Sequence, residues 1–279
     1  MTRIEPLCFE SRGGRRFGVL ELPPGPARGA VVVVHGWGGC RIGPHRILVD
    51  AARHLSSFGF ATLRFDLGGR GESEGDPLEA DLDMMIDDTA AALEAMAARL
   101  PGVPVGLLGM CSGGNVALAA AALATDVAAV AVWSTYPFQE QRTAKQDARR
   151  TAHVLGGYVR KLFRRESWMK LVRGRINFGL VRRALLGRKR EPGERNLYRS
   201  RRDILGPLTR YPGRVLFVFG SKDPEAVDAE KMFREFAAEH GLRAEFRAVA
   251  GANHNFYSLA WKREVMGTTG EWLDEALGD

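Results

Sequence analysis

The chain has 279 residues, 45% of them hydrophobic, and a formal net charge of +7, a length and apolar content that suit one large folded α/β domain and exclude a disordered chain. No run of about 20 apolar residues is present, so no transmembrane segment is expected, and the opening residues, with Arg3 and Glu5, lack the basic-then-apolar order of a secretory signal, which places the expected protein in the cytoplasm. Three cysteines, Cys8, Cys40 and Cys111, odd in number and without a C-x-x-C pair, argue against a disulfide framework or a structural zinc site, and no metal or cofactor is expected.

Strand and helix signals alternate along the chain. Residues 7–11 and 17–22 predict an antiparallel hairpin, closed off by the Pro-Pro-Gly-Pro turn at 23–26. Residues 30–35 form an apolar, β-branched run of the kind buried on both faces of a sheet. A helix is expected over 45–58, with Ile47, Leu48, Ala51, Ala52, Leu55 and Phe58 on one stripe, then a strand over 60–66. After the glycine-rich turn at 68–71 comes a longer helix over about 79–100, with Leu82, Met85, Ile86, Leu93, Met96 and Leu100 facing inward. Strand 105–109, helix 113–124 and strand 127–133 follow. The alternation resumes at strand 214–220, helix 225–240, strand 244–249 and a terminal helix over 259–277. Strands alternating with helices of this length imply a doubly wound, mostly parallel α/β sheet, with function at the carboxyl ends of its strands.

The interruption is strongly basic. Residues 134–214 hold 22 Lys and Arg against 6 Asp and Glu, a net +16, and the remainder of the chain carries −9. Stretches 158–165, 168–173 and 176–186 have helical spacing with cationic faces, and 188–202, punctuated by Pro192 and Gly193, reads as a loop. The expected organisation is a core of residues 1–133 and 211–279 with a basic helical insert over 134–210.

Strand 105–109 runs through Gly109-Met110-Cys111-Ser112-Gly113-Gly114 directly into a helix. Small residues flank Cys111 at the spacing of a nucleophile elbow, where a strained turn brings strand and helix too close for side chains. Ser112 is the alternative nucleophile, but that register puts Met110 where a small residue is needed. A cysteine after a buried strand can also be a plain core residue. Two further candidates sit in turns after the last two strands: Asp223, which could otherwise only form the turn before Pro224, and His254, which could otherwise only cap a loop. Asp228 and Glu225 lie in the following helix and are poorer candidates for the acid.

In this order the motifs resemble the α/β-hydrolase fold superfamily over nearly the whole chain apart from the insert. His35-Gly36-Trp37-Gly38-Gly39 is similar to its oxyanion loop, residues 66–73 (D-L-G-G-R-G-E-S) to its D-x-x-G-x-G-x-S turn, residues 220–223 to its acid turn and residues 251–254 to its histidine loop. Cysteine at the elbow is similar to the arrangement in dienelactone hydrolases, although those chains lack a large basic insert. The resemblance implies a triad of Cys111 as nucleophile, His254 as base and Asp223 as its orienting acid, with the backbone N–H groups of Trp37 and Ser112 as oxyanion hole. It also places His35, Gly36, Cys40 and Arg41 around the substrate, with His45 close by, and makes residues 134–210 a cap between the sixth and seventh strands. Asp66 is expected to order its glycine-rich turn.

Three functions follow as expectations. The first is hydrolysis of a small-molecule ester or thioester through an acyl-cysteine. The second is transfer of that acyl group from coenzyme A or a carrier to an acceptor, favoured by cysteine because its acyl form is a thioester. The third is a non-catalytic binding protein on the same fold. The insert's charge is either the solvated surface of a lid or the site of an anionic partner: the phosphates of coenzyme A, an acidic acyl carrier protein or an anionic membrane face. No nucleic-acid-binding motif accompanies it, so nucleic acid is not an expected partner.

Overall fold

The computed structural model describes residues 2–124, 126–136 and 200–278. An antiparallel hairpin opens the chain, with β1 (Arg3–Ser11) and β2 (Gly14–Leu22) paired from Arg3↔Leu22 to Ser11↔Gly14. Its two-residue turn puts Arg12 (φ 52) and Gly13 (φ 71) in the left-handed region, the twist that matches paired strands. Next come β3 (Gly29–Val34), β4 (Phe60–Phe65), β5 (Val105–Met110), β6 (Val127–Trp133), β7 (Arg214–Gly220) and β8 (Ala244–Val249). The eight-stranded sheet has the order β1-β2-β4-β3-β5-β6-β7-β8, with β2 antiparallel to β4 and every pair from β4 to β8 parallel. This is the α/β-hydrolase fold.

Burial on both faces explains the continuous apolar runs. Along β3, Val32 and Val34 pack with α2 (Leu82–Arg99), α3 (Ser112–Leu123) and α5 (Ala226–His240), whereas Val31 and Val33 pack with α1 (Ile47–Ser57) and α6 (Leu259–Gly278). One strand thus feeds two cores through its period of two. Helix starts differ slightly from the sequence expectation. Residues 44–46 form a 3-10 turn in which His45 and Arg46 have positive φ, so α1 begins at Ile47. The second helix begins at Leu82 because the Asp81 carboxylate accepts the Met84 N–H at 2.8 Å and caps it.

Residues 137–199, and with them most of the basic insert, lie outside the described residues. The described return segment packs on the helical layer. Ser200 and Arg201 donate to the Asp83 carboxylate, Arg202 pairs with Asp87, and Ile204 and Leu208, the latter in the short α4 (Leu205–Leu208), are buried in the same cluster as α3. Two buried ion pairs brace the sheet edge: Arg16 with Asp88 at 2.8 Å and Arg64 with Glu21 at 3.0 Å.

Candidate active site

The turn after β5 is built by exclusion of side chains. Cys111 has φ 59 and ψ −129, well outside the ordinary regions for a residue with a Cβ. Its N–H donates to the Trp133 carbonyl at 2.8 Å, and its own carbonyl accepts from Gly114 N–H at 3.0 Å, which holds the strained turn in place. A Cβ at Gly109 would lie 2.6 Å from the Gly114 Cα, one at Gly113 2.5 Å from the His35 carbonyl, and one at Gly114 2.7 Å from Thr135 Oγ1. The three glycines are therefore required by space. The thiol sits at the N-terminus of α3, where the helix dipole favours an anion.

The acid and histidine turns are stitched to each other. Lys222 N–H donates to the Ala252 carbonyl at 2.8 Å, Gly251 N–H donates to Ser221 Oγ at 2.8 Å, and a Cβ at Gly220 would come within 2.6 Å of the Ala252 carbonyl. This brings Asp223 Oδ2 to 2.7 Å from His254 Nδ1. The other oxygen, Oδ1, accepts from Glu225 N–H at 3.1 Å, which fixes the carboxylate plane. The His254 ring also lies near the Cys111 sulfur, close enough for each to shift the other's ionisation. Cys111, His254 and Asp223, more than a hundred residues apart at the extremes, are thus brought to one place.

Electrostatics follow from that line. Burial pushes the Cys111 thiol up, but the hydrogen bond and charge of His254, the Tyr136 phenol and the Ser112 N–H more than offset it and hold the thiol below its ordinary range. Burial opposes a charged His254 ring, yet its bonds to Asp223 and Cys111 raise it to about 10. Together these favour a thiolate–imidazolium pair.

Tyr136 is the site residue that the sequence reading missed. Its hydroxyl lies 3.0 Å from His254 Nε2 and near enough to the Cys111 sulfur to lower the thiol, and the two rings stack with centroids 5.0 Å apart at 13°. Strand pairing puts it there: Met110 pairs with Trp133, so the chain leaving β6 starts beside the elbow. Only its place three residues beyond a parallel strand could have pointed to it.

The oxyanion loop is held in an unexpected way. Trp37 N–H donates to the Ser112 hydroxyl at 2.7 Å, so the Ser112 side chain occupies the donor expected to face an oxyanion. The Ser112 N–H favours the anionic form of the Cys111 sulfur. Arg70 Nε donates to the Trp37 carbonyl at 2.7 Å and its guanidinium lies 5.6 Å from the centre of the Trp37 ring, clamping the loop from outside. Gly36 adjoins the thiol, and an added Cβ there would sit 3.4 Å from Sγ.

Two residues expected beside the substrate have other engagements. His35 is buried, its Nε2 accepting from Leu67 N–H at 3.1 Å, which leaves Nδ1 to donate to the Gly36 carbonyl at 2.8 Å. Burial also lowers its pKa, so the ring is neutral and braces the loop. Arg41 pairs through its guanidinium with Asp66 and Glu72 and through its N–H with Asp66 Oδ1 at 2.7 Å. Asp66, fully buried, also accepts from Glu72 N–H at 3.0 Å and orders the glycine-rich turn. Cys40 is half-buried and Cys8 exposed. His45 packs edge-on against Tyr257. Among the described residues no group of three or more His, Cys, Asp or Glu is placed to hold a metal ion.

Residues 25–231 match the family model of the serine aminopeptidases, S33. No curated protein sequence matches the chain. Among solved structures, it is similar to a dienelactone hydrolase from Anabaena variabilis (17% identity, 99% of each chain covered, TM-score 0.66). It is also similar to an esterase from Pyrococcus furiosus (16% identity, 99% of this chain and 92% of that one, TM-score 0.69). A third is Est1E from Butyrivibrio proteoclasticus, solved with ferulic acid (18% identity, 98% of this chain and 100% of that one, TM-score 0.68). With a family model spanning most of its length and this fold throughout the described residues, the chain belongs to the serine aminopeptidase, S33 family and is an α/β-hydrolase enzyme.

Proposed function

We propose that this enzyme hydrolyses an ester or thioester through an acyl-Cys111 intermediate, with His254 as proton carrier and Asp223 as its orienting acid. The observation that supports this most is the 2.7 Å hydrogen bond from Asp223 Oδ2 to His254 Nδ1 beside a cysteine held at φ 59, whose ionisation His254 eases. Cysteine stands at the elbow of this chain in a family named for serine enzymes, so on this reading the nucleophile is a sulfur and the intermediate a thioester. In the proposed sequence the thiolate attacks the substrate carbonyl, the C–S bond forms, and the bond to the leaving oxygen or sulfur breaks as His254 Nε2–H protonates it. Water then gives a proton to Nε2 and attacks the thioester, and Cys111 leaves as thiolate. The N–H groups of Ser112 and Trp37 would hold the oxyanion once the Ser112 hydroxyl yields its place. Esterases and a dienelactone hydrolase among the structural relatives agree with ester chemistry.

The test is a panel of p-nitrophenyl esters and acyl-thioesters followed by intact mass. The expected result is an acyl adduct on Cys111, with turnover lost in Cys111→Ala and iodoacetamide labelling Cys111 faster than Cys8 or Cys40. Full turnover in Cys111→Ala, or an adduct on Ser112, would overturn the reading. A second reading, acyl transfer from an anionic donor such as a coenzyme A or carrier thioester, is favoured by the +16 charge of residues 134–214 against −9 elsewhere. Under it the apparent KM for such a donor rises with ionic strength as the screening length shortens from about 10 Å at 0.1 M to about 3 Å at 1 M, and a neutral ester's KM stays put.

A further inference from the structure

We infer that Tyr136 is a catalytic hydrogen-bond donor that serves two acceptors in turn, the Cys111 sulfur before acylation and His254 Nε2 after it, and so slows the attack of water on the acyl-enzyme. This inference rests on the acyl-cysteine reading above. Its basis is the position of the phenol, whose oxygen lies 3.0 Å from Nε2 and close enough to the sulfur to lower the thiol, while ring stacking holds it over the imidazole.

A phenol has one proton to donate, so the state of its neighbours decides where it points. In the resting pair the sulfur is anionic and Nε2 carries a proton, so only the sulfur can accept. Acylation reverses this. The C–S bond forms, the proton on Nε2 departs with the leaving group, and the neutral thioester sulfur becomes a poor acceptor while Nε2 gains a lone pair. The phenol's hydrogen bond then moves to Nε2 with its O–H bond intact. That lone pair is the base an incoming water needs, and Tyr136 occupies it. Water must displace the phenol to reach that base, which makes deacylation the slow step of hydrolysis, and an acceptor held by contacts of its own displaces it more readily. Burial, then the charges of Cys111, Glu225 and Asp223, raise the phenol well above its ordinary range, so it remains a donor throughout the accessible pH range.

Tyr136→Phe keeps the stacked ring and removes the donor. Two quantities separate the roles: the pH profile of Cys111 alkylation by iodoacetamide, and the lifetime in water of the acyl-enzyme formed from a short p-nitrophenyl ester, both followed by intact mass. The alkylation midpoint should rise by about one pH unit, with labelling below it about tenfold slower. Hydrolysis of the acyl-enzyme should quicken by roughly threefold to tenfold. A midpoint that does not move overturns the first role, and an acyl-enzyme that lives as long or longer overturns the second. Tyr136→Ala is the control for packing: if the ring alone mattered, Phe would match the wild type and Ala would not. Absence of any acyl-Cys111 in the wild type would instead sink the acyl-cysteine reading, and the alkylation profile would still decide whether Tyr136 holds the thiolate.

Discussion

Replacing Asp223 by Asn tests the electrostatic part of the site with little change of shape. The carboxylate is almost fully buried, its Oδ1 is held by Glu225 N–H, and its Oδ2 takes the His254 Nδ1 proton at 2.7 Å. An amide fits the same space, but it offers His254 either a neutral acceptor or a donor facing a donor. A hydrogen bond to a charged group contributes about 1.5–3 kcal/mol, and most of the difference between charged and neutral partner should be lost. At about 1.4 kcal/mol per pH unit this is roughly one to two units. Its sign follows from the direction of the shift: Asp223 helps raise His254 from 6.5 to about 10, so the variant's imidazolium loses its proton at lower pH and the Cys111 thiolate loses its partner. The acid limb of the iodoacetamide profile should therefore move to higher pH, and labelling at pH 7 should fall about tenfold to a hundredfold. Stability should respond as well. A histidine raised in the folded state contributes stability that is full below 6.5 and lost as pH rises to about 10, so Asp223→Asn should flatten thermal stability across that window. An unshifted alkylation profile would mean that Asp223 only shapes its turn, and the reasoning would fail.

Further outcomes are expected elsewhere. Ser112→Ala removes the hydroxyl that holds Trp37 N–H at 2.7 Å; with the donor released, burst acylation by an activated ester should rise roughly twofold to tenfold. A fall would mean that the hydroxyl itself serves the oxyanion. Asp88→Ala leaves the Arg16 guanidinium and Gly68 N–H without their buried acceptor, bonds now at 2.8 and 2.7 Å, and should cost about 3–5 kcal/mol in denaturant unfolding; a loss under about 1 kcal/mol would refute the pair's structural role. Gly114→Ala drives a Cβ into Thr135 at the elbow, and a drop of about 1–3 kcal/mol is expected, read as a lower Tm; an unchanged Tm would mean the elbow has room to relax.

Sulfur in place of oxygen shifts the problem the site must solve. A serine needs its proton removed during attack, whereas on the proposed reading the thiol's ionisation is already eased by His254, Tyr136 and the Ser112 N–H. Such stabilisation lowers nucleophilicity along with pKa.

Alternation of apolar runs with amphipathic stripes was enough to determine the order of strands and helices, because each element buries a face whose period is set by its own backbone. The three glycines around Cys111 were legible for a similar reason: the need for small residues arises within six positions of the chain. Asp223 and His254 could be named from their places after β7 and β8, since a parallel sheet delivers such turns to one edge. What only the tertiary structure decided were contacts between turns. Tyr136 reaches His254 across 118 positions, and nothing local marks a tyrosine after a strand as a donor to a thiol. His35 and Arg41, placed beside the substrate by their motif, proved to be engaged with Gly36, Leu67, Asp66 and Glu72. The Ser112 hydroxyl lies across the Trp37 N–H for the same reason. Sequence spacing states which loop a side chain leaves from, but its hydrogen-bond partner is set by which loops the sheet order makes neighbours.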